Sequence, residues 1–482
     1  MPELILGPMV TGLTSTQATF WGRADSTATM HVWLGRQLDL SDAYLVGTVI
    51  LEENDGFTGR IRVENLLAES QYHYTLTLSN SPPNPANGPY PAFTTFPPAG
   101  EPRSFSFVFG SCFRPASDQS GEIFDQIDGL RRKFANDSPK ALCFALMIGD
   151  QIYADICGCN GLEHRAAVDL QDYREVYAYN WSRPPLKNLL AQLPTFMILD
   201  DHDVDDDWTW KDHARQQPQI PWWDQVDRFI KGRPKQEYTI TKARVQDALK
   251  AYQEHQGQHV DTYIDPLDFA DGRYPLEADD QGSFAYSFEY GAAAFFVLDT
   301  RTRRIKAPFS KHLMLSEGQW QALENWLLQV KDSHPVKFII TSCALLFQMW
   351  IDVPRDRWNG FPAERKRLLR FLAEHEIKGV HLLAGDLHSS HAVRADLKSP
   401  SGRSIRLWEF CASPFEQKPN WMARYTYFPI LTRWLKHQKV LFVCTELNFG
   451  VIRVIFSENQ PPEVYLETHQ CNHTVPHLLV AD

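Results

Sequence analysis

The segment Leu199-Asp200-Asp201-His202-Asp203 constrains this chain more than any other. It closes an apolar run, Phe196-Met197-Ile198-Leu199, that reads as a buried strand. Carboxylates crowded at a strand end resist joint ionisation unless a cation neutralises them. His202, inside the cluster, adds a ligand or a proton donor. Two more junctions share the design: Ala145-Leu146-Met147-Ile148-Gly149-Asp150 and His381-Leu382-Leu383-Ala384-Gly385-Asp386-Leu387-His388. Three apolar strands that each deliver an acid, two of them with a histidine, are the plan of a metal site on an α/β sandwich. The chemistry this predicts is metal-dependent hydrolysis.

At 482 residues the chain is long for one core, so two domains with a large insertion are expected. An apolar fraction of 43% and an aromatic fraction of 12% mark a globular protein. A formal charge of −11 without a basic tract argues against broad nucleic-acid binding. The start, Met1-Pro2-Glu3-Leu4-Ile5-Leu6-Gly7, lacks a basic n-region, an apolar h-region and a twin arginine. No run approaches the ~18 apolar residues that span a bilayer. A cytoplasmic protein is the simplest expectation, or an exported one if a leader was removed. Eight cysteines are too sparse for a disulfide framework. Cys143 and Cys444 read as buried thiols, and Cys157-Gly158-Cys159 as loop thiols, a disulfide or a metal contact.

Residues 1–97 read as a small β-sandwich, because short alternating runs such as Gln17-Ala18-Thr19-Phe20-Trp21-Gly22 and Tyr72-His73-Tyr74-Thr75-Leu76-Thr77-Leu78 recur between turn residues. Val63-Glu64-Asn65-Leu66-Leu67 before Tyr72 resembles the turn and tyrosine strand of fibronectin type III modules. Pro97-Pro98-Ala99-Gly100-Glu101-Pro102 reads as a linker. In residues 104–482 strands and helices alternate. Strands are predicted over 105–110, 141–148, 194–199, 293–298, 336–340 and 379–383, and an outer strand over 448–456. Helices are predicted over 122–134, 241–255, 317–330 and 363–376. The Trp-, Gln- and Pro-rich interval 208–280 reads as an insertion placed to overhang the site.

Gly149 lets the backbone turn tightly after its strand, so that Asp150 reaches over the sheet end to bridge two cations. Tyr153, three residues on, offers a phenolate suited to ferric iron. Cys112 ends the strand over 105–110; a lone cysteine there is usually a buried small residue, and otherwise a soft ligand. Asp201 is the candidate ligand beside His202, which can protonate a leaving alkoxide. Asp207, in the run Asp205-Asp206-Asp207, is a further candidate ligand or a solvated acid. Asp386 and His388 lie at i and i+2, on one side of an extended segment, and His391 reads as structural. Arg301, in Asp299-Thr300-Arg301-Thr302-Arg303-Arg304, is placed either to clamp a phosphate or to form a salt bridge.

In order, Gly110-Ser111-Cys112, Gly149-Asp150-Gln151-Ile152-Tyr153, Asp200-Asp201-His202-Asp203, Asp299-Thr300-Arg301 and Gly385-Asp386-Leu387-His388 resemble the PhoD-like (alkaline phosphatase D) metallophosphatases. Gly282-Ser283-Phe284-Ala285-Tyr286-Ser287-Phe288 and Gln319-Trp320-Gln321-Ala322-Leu323-Glu324-Asn325-Trp326-Leu327 extend the resemblance. It implies a four-layer α/β/β/α metallophosphoesterase core behind a fibronectin-III-like β-sandwich. It also implies ferric iron held by Cys112, Tyr153, Asp150 and His388 or Asp386, with calcium beside it. Asp150 would bridge and Asp201 would hold the second cation. Manganese, zinc and cobalt are the alternative metals. Asp206 and Asp207 stand where the family often has asparagines, which leaves the second-site ligands open.

The function expected is hydrolysis of phosphomonoesters or phosphodiesters by in-line attack of a metal-bound hydroxide. His202 and Arg301 are the catalytic side chains, and a small-molecule phosphoester is the partner. Two rivals remain at this stage. One is a metal-dependent hydrolase of another ester; the other is a non-catalytic, metal-braced binding protein.

Overall fold

The first strands of the chain are β1 (Leu4–Thr11), β2 (Ala18–Ala24), β3 (Ala28–Gly35), β4 (Tyr44–Leu51), β5 (Thr58–Val63), β6 (Gln71–Thr77) and β7 (Ala92–Thr94); β2 is buried throughout, while β6 alternates between buried and more open positions. They form two antiparallel sheets, ordered β1-β2-β5 and β4-β3-β6-β7. Phe20 of one sheet packs on Tyr74 and Phe93 of the other, with ring centroids 5.2 and 5.6 Å apart. The Leu67 N–H donates to the Tyr72 hydroxyl at 3.0 Å and closes the turn before the tyrosine strand. The computed structural model describes all residues except 116–119, 157, 159, 164, 210–238, 258–262, 265, 268–273, 275–281, 306–311, 350–356, 431–434, 472–476 and 482.

Downstream lie β8 (Phe105–Gly110), β9 (Leu142–Ile148), β10 (Thr195–Ile198), β11 (Tyr286–Tyr290), β12 (Ala293–Val297) and β13 (Val336–Thr341). They are followed by β14 (Val380–Ala384), β15 (Ser390–Lys398), β16 (Ser404–Cys411) and β17 (Leu435–Cys444). The chain finishes with β18 (Asn448–Ile455), β19 (Glu463–Gln470) and β20 (His477–Ala481). These strands build two sheets, ordered β10-β9-β8-β18-β19-β20 and β11-β12-β13-β14-β16-β15-β17. Within them β8, β9 and β10 are parallel, as are β12, β13, β14 and β16. Parallel neighbours end together, which gathers the loops after β8, β9, β10 and β14 at one edge.

Aromatic rings fill the space between these two sheets. Phe107 packs edge-on against Phe295 at 5.6 Å and Phe338 at 5.4 Å, and Phe196 stacks on Phe288 at 4.1 Å. On the outer face of the second sheet, the helices Glu317–Gln329 and Pro362–Glu374 bury Trp320, Leu323, Leu368 and Leu372 against Phe296, Ile339 and Leu382. The helices Glu122–Lys133 and Pro184–Gln192 bury Ile123, Phe124, Leu186 and Leu189 in the first sheet's cluster. The layers are therefore helix, sheet, sheet, helix.

One continuous apolar cluster joins the N-terminal sheets to this core. Phe96 makes the link, 5.5 Å from Phe144 and 4.8 Å from Tyr290. Of the interval 208–280, residues 210–238 and most of 258–280 lie outside the described residues. Its described helix, Lys242–His255, packs on the helix Leu170–Trp181 and on β5. Cys157 and Cys159 also lie outside the described residues, and the six described cysteines are free. Among the described residues no helix is long and apolar enough to cross a membrane.

Candidate metal centre

Two glycines allow the strand ends to meet. A Cβ on Gly149, where φ is 84°, would lie 2.5 Å from Asp200 Cβ. One on Gly385 would lie 2.6 Å from Ser111 Oγ and 2.7 Å from the Ile148 carbonyl. Hydrogen alone fits at either place. Around them Cys112 (φ 63°), Asp150 (54°), Asp207 (58°), Asp386 (62°) and His388 (51°) all adopt left-handed backbone. Non-glycine residues rarely do so, and such strain gathers where side chains must be aimed.

Three groups of side chains here have ligand atoms within 4.8 Å of one another: Cys112, Asp150 and His388; Asp150, Asp201 and His202; and Asp150, Asp200, Asp201 and Asp386. Asp150 belongs to all three. The Tyr153 hydroxyl donates to Asp150 Oδ2 at 3.2 Å and lies 3.2 Å from His388 Nε2. Cys112 Sγ is 3.4 Å from the same carboxylate oxygen. Asp207 stands in none of the groups; its backbone N–H donates to Asp201 Oδ2 at 2.8 Å.

The electrostatics are those of crowded anions. Burial, then Cys112, holds the Asp150 carboxyl well above the usual carboxylate range. Burial and then Asp386 push the Cys112 thiol up to about 12. Burial, then Asp150, raises the Tyr153 phenol. Asp150 Oδ1 and Asp200 Oδ2 are buried and have no hydrogen-bond partner among the described residues. Unsatisfied carboxylate oxygens are costly without a cation. The donor set of carboxylates, imidazole, thiol and phenol thus fits a metal pair.

His202 lies to one side, its ring 4.1 Å from that of Tyr153. Its Nδ1 is 2.8 Å from Asp155 Oδ1. Burial opposes its charged form, but Asp155, Asp201 and Asp150 outweigh burial and raise its pKa well above the ordinary value. Asp155 was not among the expected site residues, although it lies only two residues after Tyr153 in the same loop. Arg357, 3.3 Å from Asp386 Oδ2, was also missed and has no local motif to reveal it. Arg301 lies against the acids themselves. Its side chain is fully buried, with Nε on Asp200 and NH2 3.3 Å from Asp201 Oδ2. Of the two alternatives, the salt bridge is the one formed in this structure, to Asp200 and Asp201.

Metal-binding acids at the strand ends of a four-layer sandwich define the metallophosphoesterase class. The model of the PhoD-like phosphatases matches residues 119–460. The chain belongs to the PhoD-like phosphatase family. Alkaline phosphatase D of Bacillus subtilis (strain 168) is 26% identical over 246 residues, which is 47% of this chain and 36% of that relative. The chain therefore covers little more than a third of that relative's length. A solved structure described as "Structure of PhoD" superposes with a TM-score of 0.68 at 17% identity, over 99% of this chain and 88% of the other. The purple acid phosphatase PPD1 from yellow lupin (Lupinus luteus) seeds follows at 0.56 and 13%, over 99% and 74%. Both likenesses establish the fold.

Proposed function

We propose that this chain is a metal-dependent phosphoesterase acting on small phosphomonoesters or phosphodiesters. Cys112, Asp150, Tyr153 and His388 would hold one cation, and Asp150, Asp201 and Asp386 a second. The observation that carries the reading is Asp150, shared by every ligand group and buried with one oxygen unsatisfied. Ferric iron suits the thiol and phenol of the first site, and calcium the oxygen donors of the second; manganese, zinc or cobalt are the alternatives. Bound there, the cations would offset charge on the phosphoryl oxygens and render a water nucleophilic near neutral pH.

The chain's own residues supply the proton and the aim. Asp155 accepts from His202 Nδ1 and so leaves the Nε2–H to protonate the departing oxygen. The ring of Tyr153, tilted 33° against that of His202 at 4.1 Å, limits how the imidazole can turn. Arg301 fixes Asp200 and Asp201 from beneath. This dyad favours an enzyme over a metal-braced binding protein, because a structural site needs no proton donor.

The test is elemental analysis of protein purified without chelators, alongside turnover of p-nitrophenyl phosphate and bis(p-nitrophenyl) phosphate. About one equivalent each of iron and calcium supports the assignment. Two equivalents of manganese, zinc or cobalt would make Cys112 a bystander. If Asp150→Ala loses its metals yet keeps full turnover, the reading fails.

A further inference from the structure

The turn that carries Asp201 and His202 is held by residues outside the ligand groups. Asp203 Oδ2 accepts the Asp200 N–H at 2.9 Å, and the Asp200 side chain accepts from the Asp203 backbone in return. That reciprocal pair brackets His202. Asp203 Oδ1 then takes a bond from Gln256 Nε2 at 2.8 Å and one from the Tyr177 hydroxyl at 3.3 Å. Gln256 also donates to Tyr177 at 2.9 Å, and Tyr173 donates to the Val204 carbonyl at 2.8 Å. Arg244 pairs with Asp205 at 2.6 Å. Two helices, Leu170–Trp181 and Lys242–His255 with Gln256 at its end, thus grip residues 203–205.

The same helices are fastened to the N-terminal sheets. Trp21 of β2 donates its indole N–H to the Glu254 carbonyl at 2.9 Å. Arg23 NH1 donates to the Arg174 carbonyl at 2.9 Å and lies 3.1 Å from His255 Nε2. Arg174 forms a two-bond pair with Glu254, at 2.8 and 2.6 Å. His255 stacks flat on Tyr177 at 4.3 Å, which carries the contact back to Asp203. Every residue named in this chain of contacts is buried. Burying so many charged groups costs desolvation that an apolar filling would avoid, and their return is a single defined geometry.

We propose that Gln256 is a positioning residue for His202, and that the N-terminal sandwich governs turnover by fixing Gln256 through Trp21 and Arg23. The turnover part rests on the phosphoesterase reading; the positional part does not. The experiment uses the full chain purified without chelators. In Gln256→Leu, kcat on bis(p-nitrophenyl) phosphate falls about tenfold with KM and metal content unchanged, the size expected for one buried bond to a charged group. Arg23→Met gives the same pattern and Arg23→Lys restores most of the rate. Independently of turnover, backbone hydrogen exchange across residues 200–208 speeds up about tenfold in Gln256→Leu and Arg23→Met, while residues 385–390 are unchanged. Should Gln256→Leu not fold, Tyr177→Phe removes a single hydroxyl and is read in the same way. Unchanged exchange at 200–208, acceleration spread over the whole chain, or full kcat despite faster exchange would each overturn the proposal. A wild-type protein with no phosphoester turnover would remove the phosphoesterase reading and leave exchange to decide this one.

Discussion

Asp150 sits where ionisation is opposed by burial, by Cys112 and by its neighbours Asp201 and Asp200. Removing that charge should relieve the metal-free protein while destroying the site. In Asp150→Asn, metal content and turnover are lost, yet the thermal midpoint in chelator is equal to or above that of wild type. Scanning calorimetry with and without chelator checks both halves. His202 gives a second test with a definite sign. Its pKa is raised, so imidazolium persists above the ordinary range and acid-assisted turnover falls as pH climbs through the folded value. Asp155 is its leading raising partner, and cations on Asp150 and Asp201 would cancel the other two. Asp155→Asn therefore moves the alkaline limb of the kcat/KM profile to lower pH, by about one unit. A pH–rate series on the two proteins decides it. Asp150, Asp201, Asp386 and His388 were legible in the sequence because each abuts an apolar strand. The partners of Arg301 and Arg357 were not, since their acids are remote in sequence and close only after folding.

Strands and helices show where such legibility ends. β8, β9, β12, β13 and β14 are buried along nearly their whole length, and continuous apolar runs announced them. β17 is mostly half-buried, and its exposed Lys436, His437 and Lys439 break the pattern, as suits an edge strand. The helix Lys242–His255 could be read from its period, but not that it ties the N-terminal sheets to the turn at residues 203–205. Phe107 spans both central sheets through Phe144, Phe295 and Phe338. Phe107→Ala should cost about 3–5 kcal/mol in denaturant unfolding, because rings on several sides lose their partner. At the far end of β13, burial lowers the Lys337 ammonium from 10.5 to about 8. The unfolded chain keeps that proton longer, so wild-type stability rises as pH goes from about 8 to 10.5. Lys337→Met should lack this rise, which chemical denaturation across that pH range will show.

At the scale of the whole molecule, the apolar cluster that runs from β1 to β19 leaves no seam at the linker after Phe96. Heating should therefore give one cooperative transition in the N-terminal sheets and the central sandwich together. Tryptophan fluorescence and far-ultraviolet circular dichroism should coincide, and two separated midpoints would contradict a common core. Chelation should lower that shared midpoint, since cations bind the folded chain alone. The left-handed residues at the strand ends carry a consequence of another kind. Each non-glycine residue held there costs about 1–3 kcal/mol, so folding and chemistry pull in opposite directions at Cys112, Asp150, Asp386 and His388. On the phosphoesterase reading, the metal site those side chains form is what offsets that cost. A lineage that had lost the activity would be free to relax, and glycine or asparagine would invade these positions long before the phenylalanine core changed.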